Sequence, residues 1–179
     1  MKTIHVNWYG PFTLDEVDEA AEQVSKEERR DKSSLHGYGL YAWTGRKIGQ
    51  HTAVGAGLHY IGITEDRYTN RFSDENHKYR KLVRSEKKIW LGKIQGQEVV
   101  TRSDLEAAES IFVSYLHPSL NATKLNLPKF SCTVISKFCK KDMEPYQRIP
   151  SIISIIPELV IWDGKNIRDN RTRIREYTP

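Results

Sequence analysis

Apolar and polar residues alternate along several short stretches of the chain, and a period of two predicts β-strands. Ile4, Val6 and Trp8 alternate with polar residues, so residues 3–9 are expected to form a strand that ends at Gly10-Pro11. Five further strands are predicted from aromatic and β-branched content or from alternation, over residues 38–43, 59–64, 88–95, 131–136 and 159–162.

A helical period appears in two longer stretches. Residues 14–28 predict a helix, because apolar residues recur at helical spacing and Thr13 with Glu16 has the signature of a capping box. A second helix is expected after Ser103, where Glu106 stands three residues on and would complete another capping box. Thr64 can also cap a short helix after the strand over residues 59–64.

The second helix has a carboxylate in its apolar stripe. Leu105 and Phe112 belong to that stripe, and Glu109 falls between them, four residues after the first and three before the second. A carboxylate on a buried face is costly unless it is paired or bound to a metal ion. Glu109 is therefore expected either to pair with a cation such as Arg71 or to bind a metal.

Strands and helices together predict an α/β (α+β) fold, with a mixed sheet and flanking helices. The 179 residues suit one domain. A charged content of 28%, a mean hydropathy of −0.62 and the lack of a long apolar run argue against a membrane protein. No secretory signal follows Met1, so a cytoplasmic protein is expected. Cys132 and Cys139 are too few for a cysteine zinc site and predict reduced thiols.

The net charge of +5 permits binding to nucleic acid without requiring it. Cations crowd one stretch, at Lys78, Arg80, Lys81 and Arg84, and four arginines crowd residues 168–175. Such runs form either a solvated face or a surface for phosphates.

Two tripeptides give the most specific signal. Gly39-Leu40-Tyr41 and Tyr60-Ile61-Gly62 resemble the two motifs of the GIY-YIG nuclease family, the second matching the family name. The family pattern continues with an arginine, a glutamate that opens a helix, and a closing Pro and Asn. The matching residues here are Arg71, Glu109, Pro118 and Asn121, with Asn121 twelve residues after the glutamate. The resemblance covers residues 37–125, which leaves residues 1–36 as an N-terminal strand–helix extension and residues 126–179 as a C-terminal extension.

The resemblance implies a metal-dependent DNA endonuclease and a role for each matched residue. Glu109 would bind Mg²⁺ or Mn²⁺, and the Arg71 guanidinium would hold the phosphate. Tyr60 would accept the proton of the attacking water, with Tyr41 hydrogen-bonded to it or to the water. Asn121 would orient the site or hold the turn after the helix. DNA is the implied partner, and a restriction-type role would favour a homodimer.

Two departures from the family pattern and one rival residue leave alternatives open. One helical turn after Arg71 the family commonly has a His or Tyr, whereas this chain has Glu75; the helper residue is then His77, Tyr79, Glu75 itself or none. Arg67 is the rival of Arg71. Ile63 stands where the family often has a lysine. A binding module with reduced turnover is therefore the first alternative, and a protein-interaction domain is the second.

Overall fold

The computed structural model describes residues 1–27, 38–49, 51, 56–65, 68–73, 78–96, 100–121, 126–151, 153–170 and 174–176. Within these residues the helices are α1 Val17–Glu27, α2 Tyr68–Ser73 and α3 Arg102–Leu116. The strands are β1 Lys2–Phe12, β2 Tyr38–Gly45, β3 Gly57–Glu65, β4 Lys88–Gln95, β5 Cys132–Cys139, β6 Leu159–Trp162, β7 Asn166–Asp169 and β8 Ile174–Glu176. No helix in the described part of the chain is long and apolar enough to cross a membrane.

All eight described strands join one sheet in the order β3-β2-β4-β1-β5-β6-β7-β8. The β1–β5 pair is parallel and the other neighbouring pairs are antiparallel, so the sheet is mixed. The predicted α+β fold with flanking helices is confirmed. Strand β4 has the predicted bounds, and β7 and β8 extend the sheet where the sequence predicted no strand.

Alternating side chains divide the core between the two faces of the sheet. On β2, Leu40 and Ala42 belong to a cluster packed under α3, whereas Tyr41 and Trp43 belong to a cluster under α1 and α2. Successive strand residues point to opposite faces, so a strand that is apolar at consecutive positions is covered on both sides. The site residues of α2 and α3 therefore lie on opposite faces of the same sheet.

Strand β1 lies in the middle of the sheet, between β4 and β5. Ile4, Val6 and Trp8 are fully buried in the cluster under α3, so the N-terminal segment forms part of the core. The prediction that Gly10-Pro11 ends this strand is wrong. The strand continues to Phe12 through a shift of register against β4, because the irregularity lets the pairing resume beyond the proline.

The helix predicted over residues 14–28 forms with a 3₁₀ turn at Leu14–Glu16 ahead of α1. Its capping box is present, and the Thr13 backbone N–H donates to the Glu16 carboxylate at 2.7 Å. Lys141 also donates to this carboxylate at 2.7 Å. These bonds, with that of Lys141 contributing most, lower the pKa of Glu16 to about 2 and fasten the start of the helical segment to the chain after β5.

Candidate active site

The β2–β3 hairpin brings the two motif tyrosines together. Tyr41 stands opposite Gly62, and Trp43 stands opposite Tyr60. The rings of Tyr41 and Tyr60 stack with their centroids 5.8 Å apart and their planes at 28°. A Cβ atom at Gly62 would lie 2.7 Å from the Tyr41 hydroxyl and 2.7 Å from a carbon of the Tyr60 ring. Glycine is required at this position because any side chain would push the two rings apart.

Gly39, the glycine of the first motif, lets helix α2 pack closely against strand β2. The Tyr68 hydroxyl lies directly over Gly39, where any Cβ atom would collide with it, and donates to the Leu40 carbonyl at 3.3 Å. Tyr68 and Phe72, on one side of α2, are both buried in the cluster with Tyr41. This packing leaves Arg71 on the exposed side of the helix, beside the tyrosine pair.

Arg71 contacts the buried tyrosine directly. Its Nε donates to the Tyr41 hydroxyl at 3.2 Å. Burial, and then the neighbouring Tyr60, raise the pKa of Tyr41, and the hydrogen bond and charge of Arg71 only partly oppose this. Tyr41 is fully buried whereas Tyr60 is half-buried. Tyr41 therefore stays protonated, and Tyr60 is the tyrosine of the pair that a substrate can reach.

Glu109 approaches from the other face of the sheet, on α3. It is half-buried, and no ion pair joins it to another described residue. The pKa of Glu109 is raised to about 7, mainly by burial and then by the nearby charge of Glu106, with the charge of Arg71 opposing the shift. Carboxyl groups perturbed in this way are concentrated at functional sites.

Tyr60, Arg71 and Glu109 line one pocket of about 420 Å³, at the sheet edge formed by β3. Arg71 enters it from α2 on one face of the sheet and Glu109 from α3 on the other. The remaining lining residues are Ile63, Arg102, Glu106, Ser110 and Asn126. Ile63, which stands where the resembling family often has a lysine, leaves one wall of the pocket apolar.

Glu106 also belongs to this pocket, which the sequence did not predict. The capping box of α3 is formed by Thr101 and Asp104, with the Thr101 hydroxyl donating to the Asp104 carboxylate at 2.8 Å. The prediction that Ser103 and Glu106 form it is wrong, because the helix begins two residues earlier than that pairing requires. Glu106 is instead one turn before Glu109, and it pairs with Arg102 at 2.7 Å.

Asn121 holds the edge strand and does not line the pocket. Its amide oxygen accepts from the Ile61 backbone N–H at 2.9 Å, and its amide nitrogen donates to the Ile61 carbonyl at 2.6 Å. The Leu120 N–H donates to the His59 carbonyl at 2.8 Å. The segment after α3 therefore pairs with the outer edge of β3 and fixes the residue next to Tyr60, so Asn121 is a positioning residue.

His59 adds a second tie on the same strand. Its Nε2 lies 3.0 Å from the Gly45 carbonyl and its Nδ1 lies 2.8 Å from the Ser119 hydroxyl. Burial lowers the pKa of this imidazole, with the charge of Lys47 adding to the effect and the Gly45 bond opposing it. A neutral ring with Nε2 protonated satisfies both bonds, so His59 connects the end of β2 to the segment after α3.

One of the predicted phosphate-binding cations, Lys78, lies close to a pocket residue. Lys78, Arg80 and Lys81 fall on a 3₁₀ helix at Lys78–Lys81, and Arg84 follows in a turn. The Lys78 ammonium lies 5.8 Å from the centre of the Tyr60 ring. Arg80, Lys81 and Arg84 are exposed, so these three side chains are accessible to a ligand.

Of the candidate helper residues, Tyr79 alone belongs to the described part of the chain. His77, Glu75 and Arg67 lie outside the described residues. Tyr79, the other candidate, is buried in the core, where its hydroxyl donates to the Phe72 carbonyl at 2.9 Å and its ring stacks on Trp43. Tyr79 thus packs the aromatic cluster behind Tyr41 and is not a pocket residue.

The donor set of the pocket fits a magnesium-type ion. Among the described residues, no three His, Cys, Asp or Glu side chains are grouped to hold a metal. Mg²⁺ needs fewer protein ligands, since it keeps several waters and binds through one or two carboxylates. Glu109 and Glu106, on successive turns of α3, supply oxygen donors of this kind.

Comparison with known proteins identifies no family for this chain. No protein-family model, no curated protein and no solved structure matches the chain. The support for a function therefore comes from the residues of the pocket and their geometry.

Proposed function

We propose that this protein is a divalent-metal-dependent DNA endonuclease of the GIY-YIG type, which hydrolyses phosphodiester bonds at the β3 edge of the sheet. The observation that carries the proposal is the convergence of Tyr60, Arg71 and Glu109 on one pocket. These residues come from a strand and two helices on opposite faces of the sheet. Phosphodiester hydrolysis needs an activated water, neutralisation of charge at the phosphate and help for the leaving oxygen, and an aromatic hydroxyl, a guanidinium and a metal-binding carboxylate can fill these roles.

Arg71 is proposed to bind the scissile phosphate. The Tyr41 hydroxyl accepts from its Nε, which fixes the orientation of the guanidinium. A planar guanidinium can donate two parallel hydrogen bonds to phosphate oxygens. Tyr41 thereby acts through Arg71, as a buried positioning residue.

Tyr60 is proposed to accept the proton of the attacking water. Its ring lines the pocket together with Arg71, and the Lys78 ammonium lies 5.8 Å from the ring centre. The stacked Tyr41 ring and Gly62 hold it in place. Asn121 fixes the neighbouring Ile61 backbone, so the hydroxyl of Tyr60 keeps its direction.

Glu109, with Glu106 one turn earlier, would hold the metal ion. A bound Mg²⁺ or Mn²⁺ supplies charge neutralisation at the phosphate and assists the leaving oxygen. To bind a cation, Glu109 must release the proton that its raised pKa of about 7 favours. Cleavage is therefore expected to rise as the pH increases through about 7.

A DNA-binding module without turnover is the second candidate. The exposed cations that follow Lys78 favour it, since binding to phosphates needs neither Glu109 nor Tyr60. Ile63 in the pocket wall also favours binding without turnover, because it stands where the resembling family often has a lysine. Under this alternative the chain binds DNA equally well with and without a divalent ion and never cuts it.

We place the proposed enzyme in the cytoplasm and propose a homodimer for double-strand cleavage. One glutamate-centred pocket cuts one strand, so a second subunit would provide the second cut. Sedimentation with and without DNA, run beside a plasmid time course, tests this. A dimer that linearises the plasmid supports it, and a strict monomer that accumulates only nicked circles contradicts it.

The test of the proposed activity is cleavage of supercoiled plasmid in Mg²⁺ or Mn²⁺, repeated in EDTA. Wild-type protein should cut only with the metal. Glu109→Gln should bind DNA and not cut, because the amide cannot replace the charged ligand. Cutting by the Gln variant at the wild-type rate would refute the metal assignment, and wild-type binding without any cutting would favour the second candidate.

A further inference from the structure

Arg102, at the mouth of the pocket, has two carboxylate partners. It is the first residue of α3, and its side chain is 64% exposed. Nε donates to Glu106 at 2.7 Å, and an Nη1 hydrogen donates to Glu65, the last residue of β3, at 2.6 Å. A guanidinium is always charged in proteins, so both contacts are ion pairs.

These ion pairs position Arg102 more than they stabilise the fold. Ion pairs in solvent contribute little to stability, because water competes for both partners. The two bonds also use only two of the five N–H donors of a guanidinium. A cation fixed at a pocket wall with donors to spare is suited to an anion that enters from solvent.

The charges around the pocket suit a DNA strand as this anion. Arg71 and Lys78 approach Tyr60 from the α2 side, and Arg102 approaches the same pocket from the α3 side. A DNA strand carries one charge per nucleotide, so a strand that crosses the pocket presents phosphates on both sides of the bond at Tyr60. Without Arg102, the charged pocket-lining groups of α3 would be the carboxylates of Glu106 and Glu109, which repel a DNA strand.

We propose that Arg102 binds a phosphate that flanks the one at Arg71, and that it exchanges Glu106 for this phosphate when DNA enters the pocket. This inference rests on the proposed nuclease function. Glu65, which lies outside the pocket lining, keeps its bond and steers the guanidinium. The exchange also breaks the ion pair between Arg102 and Glu106, so the Glu106 carboxylate becomes available within the pocket.

The test is duplex DNA binding in EDTA, where no strand is cut, measured over a range of salt concentrations. Arg102→Gln should bind about tenfold more weakly at low salt, because a charge-assisted contact is lost. The slope of log K against log salt should fall by about 0.9, the value for one phosphate contact. Arg102→Lys keeps the charge and should keep the slope while losing part of the affinity.

Glu106→Gln separates a direct contact from simple neutralisation of a carboxylate. Alone, it should tighten DNA binding, since it frees Arg102 and removes a negative charge. Combined with Arg102→Gln, it should leave the reduced slope unchanged if Arg102 contacts a phosphate. Glu65→Gln is the matched control, because it breaks the other bond of Arg102 and leaves both pocket carboxylates in place.

Two results would overturn the proposed phosphate contact of Arg102 without contradicting the proposed nuclease function. One is wild-type affinity and slope for Arg102→Gln with an unchanged thermal unfolding midpoint. The other is full recovery of affinity and slope in the Arg102→Gln, Glu106→Gln double variant, which would mean that Arg102 only neutralises Glu106. Wild-type protein that binds no DNA at all would instead overturn the proposed function and this inference with it.

Discussion

Side chains at the centre of the sheet and at its β3 edge differ in burial and in charge. At the centre, β1 lies between β4 and β5, and Ile4, Val6 and Trp8 have no exposed surface. At the edge, β3 has a strand partner on one side, and the other side meets the Leu120–Asn121 segment and an open pocket. The centre gains stability from apolar packing, whereas the edge keeps charged and titratable groups that stabilise little and can act on a ligand.

The largest expected effect is a loss of stability from truncation at the centre. Ile4→Ala should lower the free energy of unfolding by about 2–5 kcal/mol, because it leaves a cavity among fully buried residues. Ile63→Ala, the same change in the half-buried pocket wall, should cost about 1 kcal/mol or less. Urea unfolding of both variants measures the contrast, and equal losses would contradict the division between centre and edge.

Removal of one hydroxyl at the edge should affect catalysis instead. Tyr60→Phe keeps the ring and removes the proposed proton acceptor, so cleavage should fall by roughly 10² or more with little change in stability. Tyr79→Phe is the matched control. It removes a buried hydroxyl bonded to Phe72, and it should cost about 1 kcal/mol of stability and leave the cleavage rate unchanged.

Normal cleavage by Tyr60→Phe would mean that another group accepts the proton. His77 would then be the next candidate, since Tyr79 is committed to the core. Tyr41→Phe should behave differently from both, because it frees Arg71 and loses one buried hydrogen bond. We expect weaker DNA binding at the pocket together with a stability loss of about 1 kcal/mol.

The buried carboxyl at the edge should make stability depend on pH. Glu109 has a pKa of about 7 in the folded protein against 4.5 for the free side chain. Between these values the folded state holds a proton that the unfolded chain has released, so the free energy of unfolding falls as the pH rises. Glu109→Gln removes this dependence, and at about pH 8 it should be more stable than wild type by on the order of 2 kcal/mol. Parallel pH profiles of the two proteins would contradict the assignment.

The neighbouring carboxylate should have the smallest effect on stability. Glu106→Gln removes one of the two proposed metal ligands, so metal affinity should fall. It also removes a charge that raises the pKa of Glu109, so the pH midpoint of the remaining metal binding should move to a lower value. It should cost little stability, since the Arg102 pair is exposed and Asp104 supplies the cap of α3. A stability loss typical of a missing cap, about 1 kcal/mol or more, would contradict the observed helix start.

The sequence predicted the strands that carry strong patterns. Strands β2 and β3 were predictable because they are rich in aromatic and β-branched residues and are bounded by glycine or polar residues, and β4 was predicted from alternation over residues 88–95. Strand β7 was missed because Ile167 is its sole apolar side chain between Asn166 and Asp169. Its place depends on antiparallel pairing with β6 and on the Tyr115 hydroxyl, which donates to Asp169 at 2.6 Å, and neither contact has a local sequence signal.

The site was only partly predictable for a similar reason. Glu109 could be found because a carboxylate interrupts an apolar stripe. Glu106 was misassigned because Ser103 and Thr101 both precede an acidic residue by three positions, and only the three-dimensional start of α3 distinguishes them. Arg102 had no local signal, since its role depends on Glu65, which is 37 residues away in the chain.

Calorimetric titration of Mn²⁺ as a function of pH tests the β3-edge site most directly, because its readout does not depend on cleavage. We expect that wild-type protein binds the ion, that affinity rises through about pH 7 as Glu109 loses its proton, and that Glu109→Gln does not bind. Glu65→Gln, which changes a carboxylate outside the pocket, should bind as wild type does. Unchanged Mn²⁺ affinity in Glu109→Gln, or wild-type affinity that does not vary across neutral pH, would contradict a metal site at Glu109.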